Sequence, residues 1–136
     1  MNEPTQSAEQ MFELAKQAME KSYSPYSKFP VGAAILTSSG QTFTGCNVEN
    51  ASYPEGTCAE AGAIAAMVMA GEKNIQHIYV IGNGEALVSP CGGCRQRIRE
   101  FANAQTQVHI CGPEGIRKSL FLEDLLPHSF GPEHIA

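Results

Sequence analysis

Apolar residues first recur at helical spacing at Met11, Leu14, Ala15 and Ala18, and Ser7 stands where an N-cap belongs, with Gln10 three residues on. The pattern predicts a helix with one buried face, running to about Ser22. SYSPYSKFP, residues 22–30, sets two prolines among serines and aromatics and predicts a loop. VGAAILTSSGQTFTGCNV then reads as two short strands joined by a Ser-Gly turn, a β-hairpin. Small and apolar residues from about Cys58 to Ala70, closed by Gly71, predict a second helix, and HIYVIGN, residues 77–83, is β-branched and strand-like. Past the turn-rich GNGEALVSP, CGGCRQRIREFA predicts a third helix starting near its second cysteine. QVHICG predicts another strand, and LFLEDLLPHSFGPEHIA a short helix ending before Pro127.

The order α, β, β, α, β, α, β belongs to the α/β class: parallel strands covered by helices, made a mixed sheet by the hairpin. In such folds sites form where loops leave strands and helices begin. With no repeat, low-complexity tract or linker, residues 1–136 are expected to form a single domain.

Composition narrows the partners. A formal net charge of −5 argues against tracking a phosphate backbone, so nucleic acid is not expected and small neutral substrates are. No apolar run approaches the roughly 20 residues of a membrane span. The polar start MNEPTQSAEQ resembles neither a secretory signal nor a transit peptide, which gives a cytoplasmic expectation and no membrane partner. The five cysteines are an odd number without an export signal, which turns attention from disulfides to metal or redox chemistry.

Cys58 begins one central helix, and Cys91 with Cys94 begins the other, each after a loop at a strand end. A catalytic zinc has three protein ligands and an open fourth position, and three cysteines fit that count. CxxC alone equally suits a redox dithiol at a helix N-terminus. A Cys₄ site would need a fourth ligand, but Cys46 and Cys111 lie in apolar strand patterns where buried, inert cysteines are the ordinary reading. Glu60 shifts the balance towards metal. Zinc lowers the pKa of its water toward about 7, and an acid two residues from a ligand can take that proton and deliver it elsewhere. Cys58-Ala59-Glu60 followed by Pro90-Cys91-Gly92-Gly93-Cys94 is a form of the zinc-deaminase signature, in which three cysteines are an accepted ligand set and the glutamate is acid and base. His77, His109, His128 and His134 lack ligand spacing and read as structural or solvent-facing.

From SPYSKFPVGAA through GCNVENASYPEGTCAE and SPCGGCRQ to LLPHSFGPEHI, almost its full length, the chain resembles the small homotetrameric cytidine deaminases. The resemblance implies a mixed five-stranded sheet between helices and zinc-dependent hydrolysis of cytidine and deoxycytidine to uridine and deoxyuridine, with release of ammonia, in pyrimidine salvage. It implies that Cys58, Cys91 and Cys94 bind Zn²⁺ while Glu60 shuttles protons to N3 and the departing amino group. Asn47 and Glu49 would hold the ribose hydroxyls, and the backbone of Ala59 would lie near the base. Phe29 would pack near the base, and Phe130 would help close a neighbouring subunit's site in a homotetramer. Tyr53 would stand at the subunit border. Read without the resemblance, Asn47 and Glu49 are a polar loop after a strand, and the two phenylalanines are core residues.

The chain departs from the family directly after Glu60. Many small cytidine deaminases have an arginine there that hydrogen-bonds the cysteine sulfurs; this chain has Ala61 and Gly62. Three thiolates and Zn²⁺ sum to −1, so the expectation is that Arg95, next to Cys94, and the two helix dipoles supply the missing positive charge. Blasticidin S deaminase, a relative, also lacks that arginine, which makes a modified or N4-substituted cytosine nucleoside the alternative substrate. A non-catalytic zinc-binding module is the alternative from another class.

Overall fold

The structure, a computed structural model, describes residues 6–135. Its elements run α1 Ala8–Met19, β1 Val31–Thr37, β2 Thr42–Cys46, α2 Ala59–Met69, β3 Ile75–Gly82, α3 Gly92–Glu100, β4 Gln107–Gly112, β5 Gly115–Phe121 and α4 Leu122–Leu125, with short 3₁₀ turns at Tyr53–Glu55 and Pro132–His134. Ser7 caps α1 as the sequence predicts. Its hydroxyl accepts the Gln10 N–H at 3.1 Å, and the Gln10 side chain accepts the Ser7 N–H at 2.8 Å. α1 ends at Met19, short of Ser22, and buries Phe12 where the spacing favoured Leu14. α2 closes at Gly71, whose φ of 87° suits a residue without a Cβ. α3 starts earlier than its second cysteine, with Cys91 as its cap.

The five strands form one mixed sheet in the order β2-β1-β3-β4-β5. β1 pairs antiparallel with β2 and β3, β3 parallel with β4 through the α3 crossover, and β4 antiparallel with β5. Five strands are what the resemblance implies, whereas the apolar pattern counted four. It overlooked β5, GIRKSLF, because this edge strand carries Arg117 and the exposed Lys118, as unpaired edges commonly carry charge. Leu120 and Phe121, read as the start of the terminal helix, end that strand, and the helix is the single turn α4 before Pro127.

Two cores flank the sheet. On one face α1 packs Met11, Phe12, Ala15 and Met19 against Ala34, Leu36, Tyr79, Ile81 and Cys111. On the other, α2 and α3 bring Ala63, Ile64, Met67 and Ile98 onto Ile35, Ile75, Ile78, Val80 and Val108. Each face has one point of backbone-to-backbone approach. A Cβ on Gly32 would lie 2.1 Å from the Ala15 carbonyl oxygen, and one on Gly45 would lie 2.4 Å from the Ala63 nitrogen and 2.5 Å from the Ala59 carbonyl oxygen. Gly45 thereby sets the distance of the first turn of α2 from the sheet. Cys111 is buried as expected, and burial followed by Glu114 pushes its thiol up to about 12. Cys46 is only half-buried, because β2 is the other edge strand.

On the α1 face, His77 Nδ1 and His109 Nε2 lie 2.9 Å apart, and His109 Nδ1 is 2.6 Å from the Ser119 hydroxyl. The His109 ring stacks on Tyr79 at 4.3 Å. Burial first, and then His77, hold His109 down at about 4 from its ordinary 6.5. These histidines are structural, as their spacing suggested.

Two outcomes follow from this packing. Replacing Gly45 with Ala forces α2 away from β2 and costs about 3 kcal/mol, the upper end of the usual overpacking penalty. A thermal melt lowered by roughly 10 °C shows it, and a wild-type melting temperature counts against the close approach. Because His109 binds its proton less readily folded than unfolded, its contribution is present above about pH 6.5 and is lost as pH falls toward about 4. It amounts to up to about 3 kcal/mol. Melting followed from pH 7 to 4 should drop less steeply in His109→Gln, and equal slopes would exclude this origin.

Candidate metal centre

α2 and α3 pack together on one face of the sheet, and each is capped by a cysteine. Cys58 (φ −80°, ψ 157°) and Cys91 (φ −65°, ψ 167°) have the extended backbone of an N-cap, yet neither side chain makes a capping hydrogen bond. Ser, Thr, Asp or Asn is the usual choice there. The sulfurs turn instead towards each other and towards Cys94, buried in the first turn of α3, and the three Sγ atoms lie within 4.8 Å of one another. A tetrahedral zinc with Zn–S bonds of about 2.3 Å spaces its sulfurs about 3.8 Å apart, a small side-chain adjustment away. Among the described residues no other His, Cys, Asp or Glu belongs to the group, which leaves a fourth position open.

The chemistry of the donors fits a cation. Burial, then Glu60 and Cys58, push the Cys94 thiol far up. Cys58 is also raised, chiefly by burial. For Cys91 burial works upward, but hydrogen bonds from the Cys94 N–H and from the neighbouring thiols outweigh it and bring the group down. Three thiols this close resist ionising side by side, and a divalent ion relieves that. Glu60, in the first turn of α2, is 4% exposed. Burial pushes its carboxyl up, against the opposing pull of the Cys94 thiol and the Arg97 guanidinium.

Above the sulfurs is a cleft of about 320 Å³ lined by Cys58, Cys91, Glu60, Ala59, Asn47, Glu49 and Tyr53, together with Val31, Val48, Val80, Val88 and Ser89. Asn47 Oδ1 accepts from the Val31 N–H at 2.8 Å and from the Ser22 hydroxyl, while Nδ2 donates to the Phe29 carbonyl at 3.0 Å. One Nδ2 hydrogen remains to be offered. Glu49 Oε1 accepts the N–H groups of Tyr26 and Ser27 at 2.9 and 3.1 Å, and Oε2 accepts the Ser27 hydroxyl. The Ser27 hydroxyl is the largest of the effects that lower its pKa, so the group is an anion with a lone pair to spare. An amide donor and a carboxylate acceptor thus stand side by side on a fixed loop.

The remaining candidates are spread more widely. Tyr53 is 75% exposed at the rim, its ring 5.8 Å from that of Tyr26. Phe29 packs beneath the wall, its ring 3.0 Å from where a Gly82 Cβ would be, beside Val88. Phe130 does not line this chain's cleft. It stacks on His134, and its carbonyl accepts from the Gln96 side chain. Arg95 touches no sulfur. Its guanidinium donates to the Pro90 carbonyl, the Leu125 carbonyl and the Ser89 hydroxyl, each at 2.8 Å, and so braces the loop entering Cys91. The hydrogen bonds of Arg95 thus go to the loop and to Leu125 and none to a sulfur, since its side chain folds back onto Ser89 and Pro90. Arg97 is the residue that reaches Cys94.

Sequence reasoning also missed Val88, Ser89 and Arg117. The first two lie in an irregular loop with no periodicity to read. Arg117, on β5, donates to the Gly84 and Ala86 carbonyls at 2.7 and 2.8 Å and pairs with Glu114, pinning the far end of that loop.

A family profile described as "Cytidine and deoxycytidylate deaminase zinc-binding region" matches residues 5–110. The cytidine deaminase of Sporosarcina psychrophila is 39% identical over 128 residues, covering 94% of each chain. That of Mycoplasma genitalium is 36% identical over 113 residues, covering 82% of this chain and 86% of the relative. The crystal structure of cytidine deaminase from Burkholderia pseudomallei superposes with a TM-score of 0.86 at 39% identity, covering 92% of this chain and 100% of that one. The Mycobacterium tuberculosis enzyme gives 0.77 at 36%, covering 89% and 94%.

Arg117→Ala releases the Gly84 and Ala86 carbonyls, each bond contributing about 1 kcal/mol. Amide hydrogen exchange across residues 83–89 should quicken by about thirtyfold with metal content unchanged. Wild-type protection in that loop would mean that Arg95 alone holds it.

Proposed function

The chain belongs to the cytidine and deoxycytidylate deaminase family, and from that membership we propose that it hydrolyses cytidine and deoxycytidine to uridine and deoxyuridine, releasing ammonia. The observation that carries the reading is the gathering of Cys58, Cys91 and the buried Cys94, the first two lining a cleft that also contains Glu60. Cys58, Cys91 and Cys94 are the zinc ligands. Zinc held there supplies Lewis acidity that makes water a nucleophile near neutral pH.

The remaining work falls to side chains. A C–O bond forms at C4 of the cytosine ring, the C4–N4 bond breaks, and ammonia departs. Glu60 takes one proton of the attacking water and delivers it to N3, then takes the second, from the hydroxyl now on C4, and delivers it to the leaving nitrogen as the C4 carbonyl forms. Its desolvated carboxyl, with its raised pKa, suits a group that must both accept and donate. The free Asn47 N–H and the remaining Glu49 lone pair take the ribose hydroxyls, the backbone of Ala59 meets the base, and Phe29 supports the wall behind it. Arg95 holds the loop that carries Cys91.

Residues 1–136 act as one domain and assemble as a homotetramer with sites at subunit interfaces. α2 supports this assembly, since its outer face is apolar, with Val68 45% and Met69 89% exposed. A helix apolar all round belongs in an interior. Tyr53 and Phe130, both exposed, lie at the subunit border, with Phe130 completing a neighbour's cleft. The setting is cytoplasmic pyrimidine salvage, and among the described residues no helix is long and apolar enough to cross a membrane. The open fourth position favours the enzyme over a closed structural zinc module.

Ammonia release measured with cytidine, deoxycytidine, cytosine and a blasticidin-type nucleoside tests the reading. The first two should react, and Glu60→Gln should lower kcat by about 10²–10⁴-fold at unchanged zinc content. Turnover that survives in Glu60→Gln, or zinc-loaded protein that releases no ammonia from any of the four, would sink it.

A further inference from the structure

Three thiolates carry three negative charges and Zn²⁺ carries two positive, so the loaded cluster is anionic by one charge and a correspondingly weak Lewis acid. The two helix N-termini aimed at it contribute roughly half a positive charge each. One full positive charge is also within reach. Arg97 Nη1 donates to Cys94 Sγ at 3.5 Å, from one turn further along α3. Long side chains on a helix lean towards its N-terminus, which is the direction this bond requires. Gly93 clears the way, since a Cβ there would lie 3.3 Å from Arg97 Nη1, a contact tighter than side chains ordinarily make. Among the described residues no other lysine or arginine bonds a ligand sulfur: Arg95 is occupied with Ser89, Pro90 and Leu125, and Ala61 offers only a methyl group.

We propose that Arg97 is the counter-charge of this metal centre, a guanidinium laid across Gly93 onto Cys94 that offsets the excess negative charge and keeps the sulfur oriented as a ligand. The inference rests on Cys58, Cys91 and Cys94 holding zinc. Arg97 acts through Cys94 and touches no substrate, so it is a positioning residue. Its loss should loosen the metal and slow the chemical step while leaving nucleoside binding alone. Gly93 and Arg97 work as a pair, because a side chain at 93 occupies the path the guanidinium takes.

The test uses the zinc-loaded full chain as wild type, Arg97→Gln, Arg97→Lys and Gly93→Ala. Zinc release to a chromogenic chelator is timed, kcat and KM for cytidine are measured, and the metal-free forms are melted. Outer partners of metal ligands typically alter affinity or activity 10–100-fold. Arg97→Gln is expected to release zinc about tenfold faster and to lose about tenfold in kcat, with KM within twofold and metal-free melting unchanged. Arg97→Lys should recover part of both, and Gly93→Ala should shift both in the direction of Arg97→Gln. Zinc release from Arg97→Gln at the wild-type rate would overturn the proposal, as would faster release that merely tracks a lowered melting temperature of the metal-free form. Wild-type protein that holds zinc but deaminates nothing would defeat the catalytic reading alone, since the release rates still decide the role of Arg97.

Discussion

The contact of α2 with β2 at Gly45, backbone against backbone, fixes where the first turn of α2 stands, and with it Cys58 and Glu60. The parallel pairing of β3 with β4 requires α3 to cross the same face, so Cys91 and Cys94 arrive beside them. A site assembled from two helix starts needs both helices at a defined height above one sheet. Small side chains at the contact provide it: Ala59 and Ala63 are fully buried, and Gly45 presents no side chain at all.

Much of this was legible beforehand because it is periodic or punctuated. Ser7 with Gln10 announced α1, the Ser-Gly turn announced the hairpin, and CxE with PCxxC announced the sulfur cluster. What escaped has physical reasons. β5 hid because an edge strand that carries Arg117 and Lys118 does not look apolar. Cys46 resembled a core residue until the topology put β2 at an edge. The destinations of Arg95 and Arg97 could not be read from their positions two apart on one helix. A guanidinium on a long flexible stem goes to whichever acceptors the surrounding loops present, and those loops carry no repeat.

The cleft shows a division of labour between rigid and braced parts. The Glu60 carboxyl and the sulfurs sit at helix starts, where packing restricts their rotamers. Asn47 and Glu49 sit on a loop, but each spends most of its hydrogen-bonding capacity on backbone groups between Ser22 and Val31, leaving one group apiece to offer. The loop from β3 to α3 is held at both ends by arginines reaching from other elements, Arg117 and Arg95. Pre-organisation of this kind lowers the ordering cost of binding a small polar ligand.

The cysteine caps of α2 and α3 have one more consequence. A conventional capping residue at each position would stabilise its helix by about 1 kcal/mol without help from any ligand. Here that stabilisation is available only through the ion, which binds the folded chain and thereby shifts folding by mass action. Newly made chains that meet no metal populate unfolded forms more often, and those are the forms proteases clear. Metal loading and folding stability are therefore linked in this chain through the same two helix starts.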